Sequence, residues 1–189
     1  YVNPELLFLG TEMGLYISLD DGAQWTRFIG GLPDKVCVKD MVFQQRDHDL
    51  VLATHGRGIF IIDDISPLRQ LTREVVEQDA AMLPNRPSYN SPRTMSFGYG
   101  AGGYTAPNPP SGLEITYYLK KRHIFGKLRL EIYNEAGELV ANLPGGTRRG
   151  INRVQWSMRL PAPIVARSRA LAMGAMTGPT VPEGTYTVK

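Results

Sequence analysis

The chain has 189 residues, 42% hydrophobic and 21% charged, the make-up of a folded globular protein of one domain or two small ones. No apolar run is long enough to cross a bilayer. One cysteine excludes an internal disulfide, and a net charge of +3 from scattered basic residues without an aromatic platform argues against a nucleic-acid partner.

The charge is unevenly spread. Residues 1–66 hold five Lys/Arg and ten Asp/Glu, whereas residues 67–189 hold sixteen and eight. A net of −5 followed by +8 predicts two domains. The opening Tyr1-Val2-Asn3-Pro4 reads as neither a start nor a targeting segment, and Gly184–Lys189 stops within an apparent strand. The expectation is a piece of a longer protein.

In chain order, Leu6–Leu9 and Leu15–Leu19 read as strands around a Gly-containing turn, and Trp25–Ile29 reads as a third. Between the second and third lies Ser18-Leu19-Asp20-Asp21-Gly22-Ala23-Gln24-Trp25. Asp20 can accept bonds from backbone N–H groups, Gly22 tolerates positive φ, Ser18 can bond locally, and Trp25 offers a large apolar face to pin the hairpin. Cys37, beside Val36 and Val38, reads as a buried inert thiol, because neither His48 nor His55 can be placed next to it. Met41–Gln44, Leu50–Thr54 and Ile59–Asp63 are the next strands.

These segments repeat. Leu7–Ile17 aligns with Leu50–Ile61 at an offset of 43, rising to 44 after one extra residue. A period of about 40–45 residues suits a four-stranded propeller blade. In the second copy Ile62-Asp63-Asp64-Ile65 stands where the Ser-x-Asp-x-Gly pattern stood.

The pattern Ser-x-Asp-x-Gly-x-x-Trp at Ser18–Trp25 resembles the Asp-box of BNR-type β-propellers. Ala53-Thr54-His55-Gly56-Arg57-Gly58-Ile59-Phe60, followed by Asp63–Leu68, resembles the last blade of sortilin-like BNR-repeat proteins, large bacterial secreted proteins often labelled glycosyl hydrolases. The resemblance covers residues 5–72. It implies that residues 1–70 are the last one to two blades of a propeller and that the protein is extracellular or periplasmic. Fewer than two blades cannot close a ring of about four to eight. The expected partners are the rest of a parent propeller and a glycan or peptide ligand. Open strand edges predict self-association.

Residues 71–111 read as a linker. Thr72–Leu83 predicts a short helix or an extended tie, and Pro84–Pro110 a surface-packed segment rich in Pro, Gly, Ser and Tyr. Beyond it, Leu113–Leu119 is a predicted strand, and Leu128, Leu130 and Ile132 alternate with Arg129, Glu131 and Tyr133. Asn134–Gly137 turns the chain into Glu138-Leu139-Val140. Gly150–Trp156 places Val154 and Trp156 on one face, and Pro182–Val188 closes the pattern. Residues 112–189 resemble the immunoglobulin-like β-sandwich of the flagellar hook-capping type. The insert Pro161–Val181 departs from that pattern and reads as a mobile loop. The expected fold is therefore all-β, a partial propeller followed by a sandwich.

Candidate sites follow from the blade layout. Asp20 and Asp21 lack the further spaced carboxylates of a cation loop, so they read as a structural turn, and neither a metal nor a cofactor is expected. Glu12, His55 and Arg57 occupy turns on the rim opposite the Asp-box. In the propellers resembled, that rim carries the ligand-binding mouth. Arg57 can pair with an anionic or sugar group and His55 can transfer protons; alternatively both bond neighbouring groups and lock the last blade. Tyr89, Tyr99 and Tyr104 suit packing or carbohydrate stacking, and Lys120-Lys121-Arg122 reads as a solvated strand end. Residues 1–66 show no pair of carboxylates placed for glycoside hydrolysis. The reading is a non-catalytic scaffold or recognition module. The alternative is part of a glycoside hydrolase whose catalytic carboxylates lie in other blades.

Overall fold

A computed structural model describes residues 3–89, 112–164 and 177–189. The protein is all-β: its described residues form antiparallel sheets, with two short helices. The chain divides into two compact units, Tyr1–Asn85 and Arg86–Lys189. Of the segment read as a linker, residues 71–79 fall within the first unit, and residues 90–111 lie outside the described residues.

In the first unit, β1 (Leu7–Thr11), β2 (Gly14–Ser18) and β3 (Thr26–Arg27) form one meander. A second comprises β4 (Val38–Gln44), β5 (Asp49–Thr54) and β6 (Ile59–Ile62). Side chains alternate across each sheet. In the second sheet Leu50 stands beside Phe43 and Ile62, and Leu52 beside Met41 and Phe60, all on one face. In the first, Phe8, Gly10, Leu15 and Ile17 share a face.

These two faces meet along β1 and β4. The rings of Phe8 and Phe43 pack edge to face at 5.8 Å. Gly10 permits the approach, because a Cβ there would stand 2.8 Å from Val38 Cγ1. Leu15, Leu50 and Leu52 are buried in the same unit.

The opposite face of the second sheet is open. Val42 (59% exposed), Ile59 (72%) and Ile61 (58%) share it with Val51 and Ala53. Leu9, on the outer face of the first sheet, is exposed as well. Each sheet therefore buries one apolar face and leaves apolar side chains on the other.

After β6 the chain turns into α1 (Ser66–Arg69) and α2 (Arg73–Glu77), then β7 (Ala80–Met82). The segment Thr72–Leu83 is thus both helix and extended chain. Thr72 caps α2, its hydroxyl accepting from the Val75 N–H at 3.4 Å. Ile65, Leu68 and Leu71 are buried.

In the second unit, β8 (Leu113–Leu119) and β11 (Gly150–Trp156) pair along their full length. β9 (Arg129–Tyr133) pairs with β10 (Leu139–Pro144) on one side and β12 (Thr187–Val188) on the other. One core draws on both sheets: Ile115, Tyr117, Leu119 and Trp156 from one, Leu130, Ile132 and Val140 from the other. Trp156 meets Tyr186 edge to face at 5.2 Å. The base of the 161–181 insert is tied by Leu160 N–H to Pro179 O and Val181 N–H to Met158 O; its residues 165–176 lie outside the described residues.

Gly10→Val places branched atoms where Val38 already stands. It is expected to destabilise the first unit by about 1–3 kcal/mol, read as a lower denaturant midpoint with an unchanged slope.

Candidate functional site

The two ends of the first unit differ in chemistry. Phe8 lies against Phe43 while Gly10 lies against Val38, so β4 runs antiparallel to β1. β5 is antiparallel to β4, hence parallel to β1. The β1–β2 turn and the β5–β6 turn therefore fall at the same end. The Ser18–Trp25 turn falls at the other.

Ser18, Asp20, Gly22 and Gln24 form one hydrogen-bonded unit. The Ser18 hydroxyl donates to Asp20 Oδ1 at 2.7 Å and accepts from the Gly22 N–H at 2.8 Å. Asp20 Oδ1 also accepts from the Gln24 N–H at 2.8 Å. Asp21 and Gly22 adopt φ of 54° and 87°, the left-handed region that Gly22 enters without a Cβ penalty. A Cβ on Gly22 would lie 3.6 Å from Leu7 and 3.7 Å from the Trp25 ring, so the turn nests between them. The Gln24 N–H, and after it the Ser18 hydroxyl, hold the Asp20 carboxyl below its ordinary value. Asp20 is thereby engaged in holding the turn.

In the second copy Asp64 takes the left-handed conformation at φ 44°, and its carboxylate accepts from the Ser66 N–H at 3.0 Å. Arg69 Nη1 lies 3.0 Å from His48 Nδ1, an arrangement in which the guanidinium donates to the unprotonated ring nitrogen. His48 thus sits by the β4–β5 turn, away from Cys37.

At the other end, a threonine closes each turn. Thr11 Oγ1 donates to Gly14 O at 2.9 Å, and Thr54 Oγ1 donates to Gly58 O at 2.6 Å. Gly56 and Gly58 both have φ of 74°. Between these anchors Glu12, His55 and Arg57 are exposed. None of the three side chains makes a hydrogen bond or ion pair within the described residues. The structure thus places the three, exposed, at one end of the unit.

Cys37 is half-buried rather than buried, a correction to the sequence expectation. Its carbonyl accepts the His55 N–H at 2.9 Å, which puts it on the same rim. Two residues eighteen apart in sequence meet only through the β4–β5 pairing, so no local signal revealed it. Tyr89 is exposed, and Tyr99 and Tyr104 lie outside the described residues.

Among the described residues no cluster of three or more His, Cys, Asp or Glu side chains is placed to hold a metal ion, and no helix is long and apolar enough to cross a membrane. Comparison of the chain with protein-family models, curated proteins and solved structures finds no match.

Ser18→Ala removes the acceptor of the Gly22 N–H in a part-buried turn and is expected to cost about 0.5–1.5 kcal/mol, measured by chemical denaturation. The depressed Asp20 carboxyl stabilises the fold above its unfolded-state value, and this contribution is lost as pH falls through the lower folded value. Asp20→Asn is therefore expected to lower the thermal midpoint at neutral pH, with the gap to the parent chain closing below about pH 4. A gap independent of pH would assign the effect to packing alone.

Proposed function

We propose that the first unit comprises two neighbouring blades of an exported, sortilin-like BNR-repeat propeller and that the second is an accessory immunoglobulin-like sandwich. The chain serves as a non-catalytic recognition and assembly module. The observation that carries this reading is the rim: Glu12 from one copy of the repeat and His55 and Arg57 from the other project from the same end with unspent polar groups. The matching threonine anchors support treating the turns as equivalent.

The chemistry favours a glycan or peptide bearing a carboxylate. Arg57 offers a planar fork that matches such a group, and His55 adds a donor. Glycoside hydrolysis requires two carboxylates about 5–9.5 Å apart across the scissile bond. The rim turns at residues 12–13 and 55–58 supply one, Glu12. Recognition is the function these residues can perform with what they carry.

The open apolar faces favour partners of the same build. Val42, Ile59 and Ile61 form a surface like the one already buried between the two sheets. Further blades of the parent protein are the natural cover.

Calorimetric titration of the longer parent protein with sialylated glycans and acidic peptides is expected to show saturable binding to at least one. Arg57→Ala should weaken it about tenfold, as loss of a charge-assisted pair does. Turnover of a glycoside that disappears in Arg57→Ala would replace recognition with catalysis. For the 189-residue chain alone, sedimentation velocity is expected to show concentration-dependent association, reduced in Ile59→Asp/Ile61→Asp.

A further inference from the structure

The loop joining β8 to β9 presents two large apolar side chains to solvent. Ile124 is 74% exposed and Phe125 is 85% exposed, although their neighbour Leu128 packs against the core of the second unit. Gly126 follows at φ 79°, which turns the chain back toward β9. Lys121, Arg122 and Lys127 flank the pair and are exposed.

A second basic loop lies alongside. The His123 N–H donates to Thr147 O at 3.0 Å, which joins the tip to the β10–β11 connection. That connection adds exposed Arg148 and Arg149. Its shape is held from within the fold. The Tyr117 hydroxyl donates to Gly146 O at 2.6 Å, and the buried Asn152 amide donates to Arg148 O at 2.7 Å and accepts from Arg148 N–H at 3.2 Å. The arginines are thus presented by an ordered turn.

No Asp or Glu occurs in residues 119–130 or 143–150, the two stretches that build this end. At the opposite end, the β9–β10 turn carries Glu135 and Glu138, and Glu135 accepts the Thr185 N–H at 3.0 Å. The unit is polarised, with its apolar pair inside the basic pole.

Scattered apolar residues on a surface need no explanation. An adjacent pair with three exposed cations in its own loop and two on the loop bonded to it is different. Soluble polyanions would use the cations and leave Ile124 and Phe125 in water. A bilayer with anionic headgroups uses both: cations meet headgroup phosphates and the apolar pair enters the boundary with the acyl chains. We propose that this end of the second unit docks on an anionic membrane surface, lying on the bilayer without crossing it. The inference is independent of how the first unit is read. It also gives Lys121 and Arg122, expected from sequence to be a solvated strand end, a specific role.

The test is co-sedimentation of the full 189-residue chain with phosphatidylcholine vesicles, with and without phosphatidylglycerol. Binding is expected to the phosphatidylglycerol vesicles, weakening as salt is raised. Ile124→Ser/Phe125→Ser and, separately, Arg148→Glu/Arg149→Glu should each reduce it about tenfold or more, with unchanged thermal midpoints. Phe125→Trp should show blue-shifted emission on anionic vesicles. Equal binding to both vesicle types, indifference to the Ile124/Phe125 change, or an unshifted tryptophan would overturn the proposal. So would binding to inorganic polyphosphate as tight as to vesicles and insensitive to Phe125, which would assign the surface to soluble polyanions.

Discussion

The first unit depends on the close approach of β1 to β4. Gly10 leaves room for Val38, and Phe8 closes on Phe43. Dispersion and burial along this seam decide more than stability. They fix the relative direction of the two meanders, and through it which turns share an end. Without that seam, Glu12 and Arg57 would be residues on two unrelated hairpins.

The same seam explains why one end is occupied with structure and the other is available. At the Ser18–Trp25 end, a hydroxyl, a carboxylate and two backbone N–H groups satisfy one another around residues in left-handed conformations. A carboxylate engaged in this way has little left for a ligand. At the rim, the turns are closed by threonine hydroxyls and glycine carbonyls. Backbone geometry is satisfied there without drawing on Glu12, His55 or Arg57. Economy in how a turn is held is what leaves these side chains without a structural partner among the described residues.

The second unit solves a different problem. Its core joins two sheets through Ile115, Trp156, Leu130 and Ile132, so its internal apolar demand is met within the chain. Ile124 and Phe125 are left over from that account. The first unit, by contrast, exposes Val42, Ile59 and Ile61 on one face of its second sheet. Exposed apolar surface thus takes two forms here, side chains on a sheet face and a pair at a loop tip.

The strands were legible in the sequence because alternation and branched residues act locally. Leu113–Leu119 and Gly150–Trp156 were expected and occur with those bounds. The turn at Ser18–Gln24 was legible for the same reason, since Ser18, Asp20 and Gly22 bond within a few residues of one another. The equivalence of the Glu12 and His55–Arg57 turns could be read from the repeat. The sequence could not show that Cys37 is half-exposed beside His55 or that Arg148 and Arg149 adjoin the Phe125 loop. Those facts arise from strand pairing and from hydrogen bonds between loops distant in the chain. Local order is written in nearest neighbours, and the composition of a surface is decided only when distant segments pack.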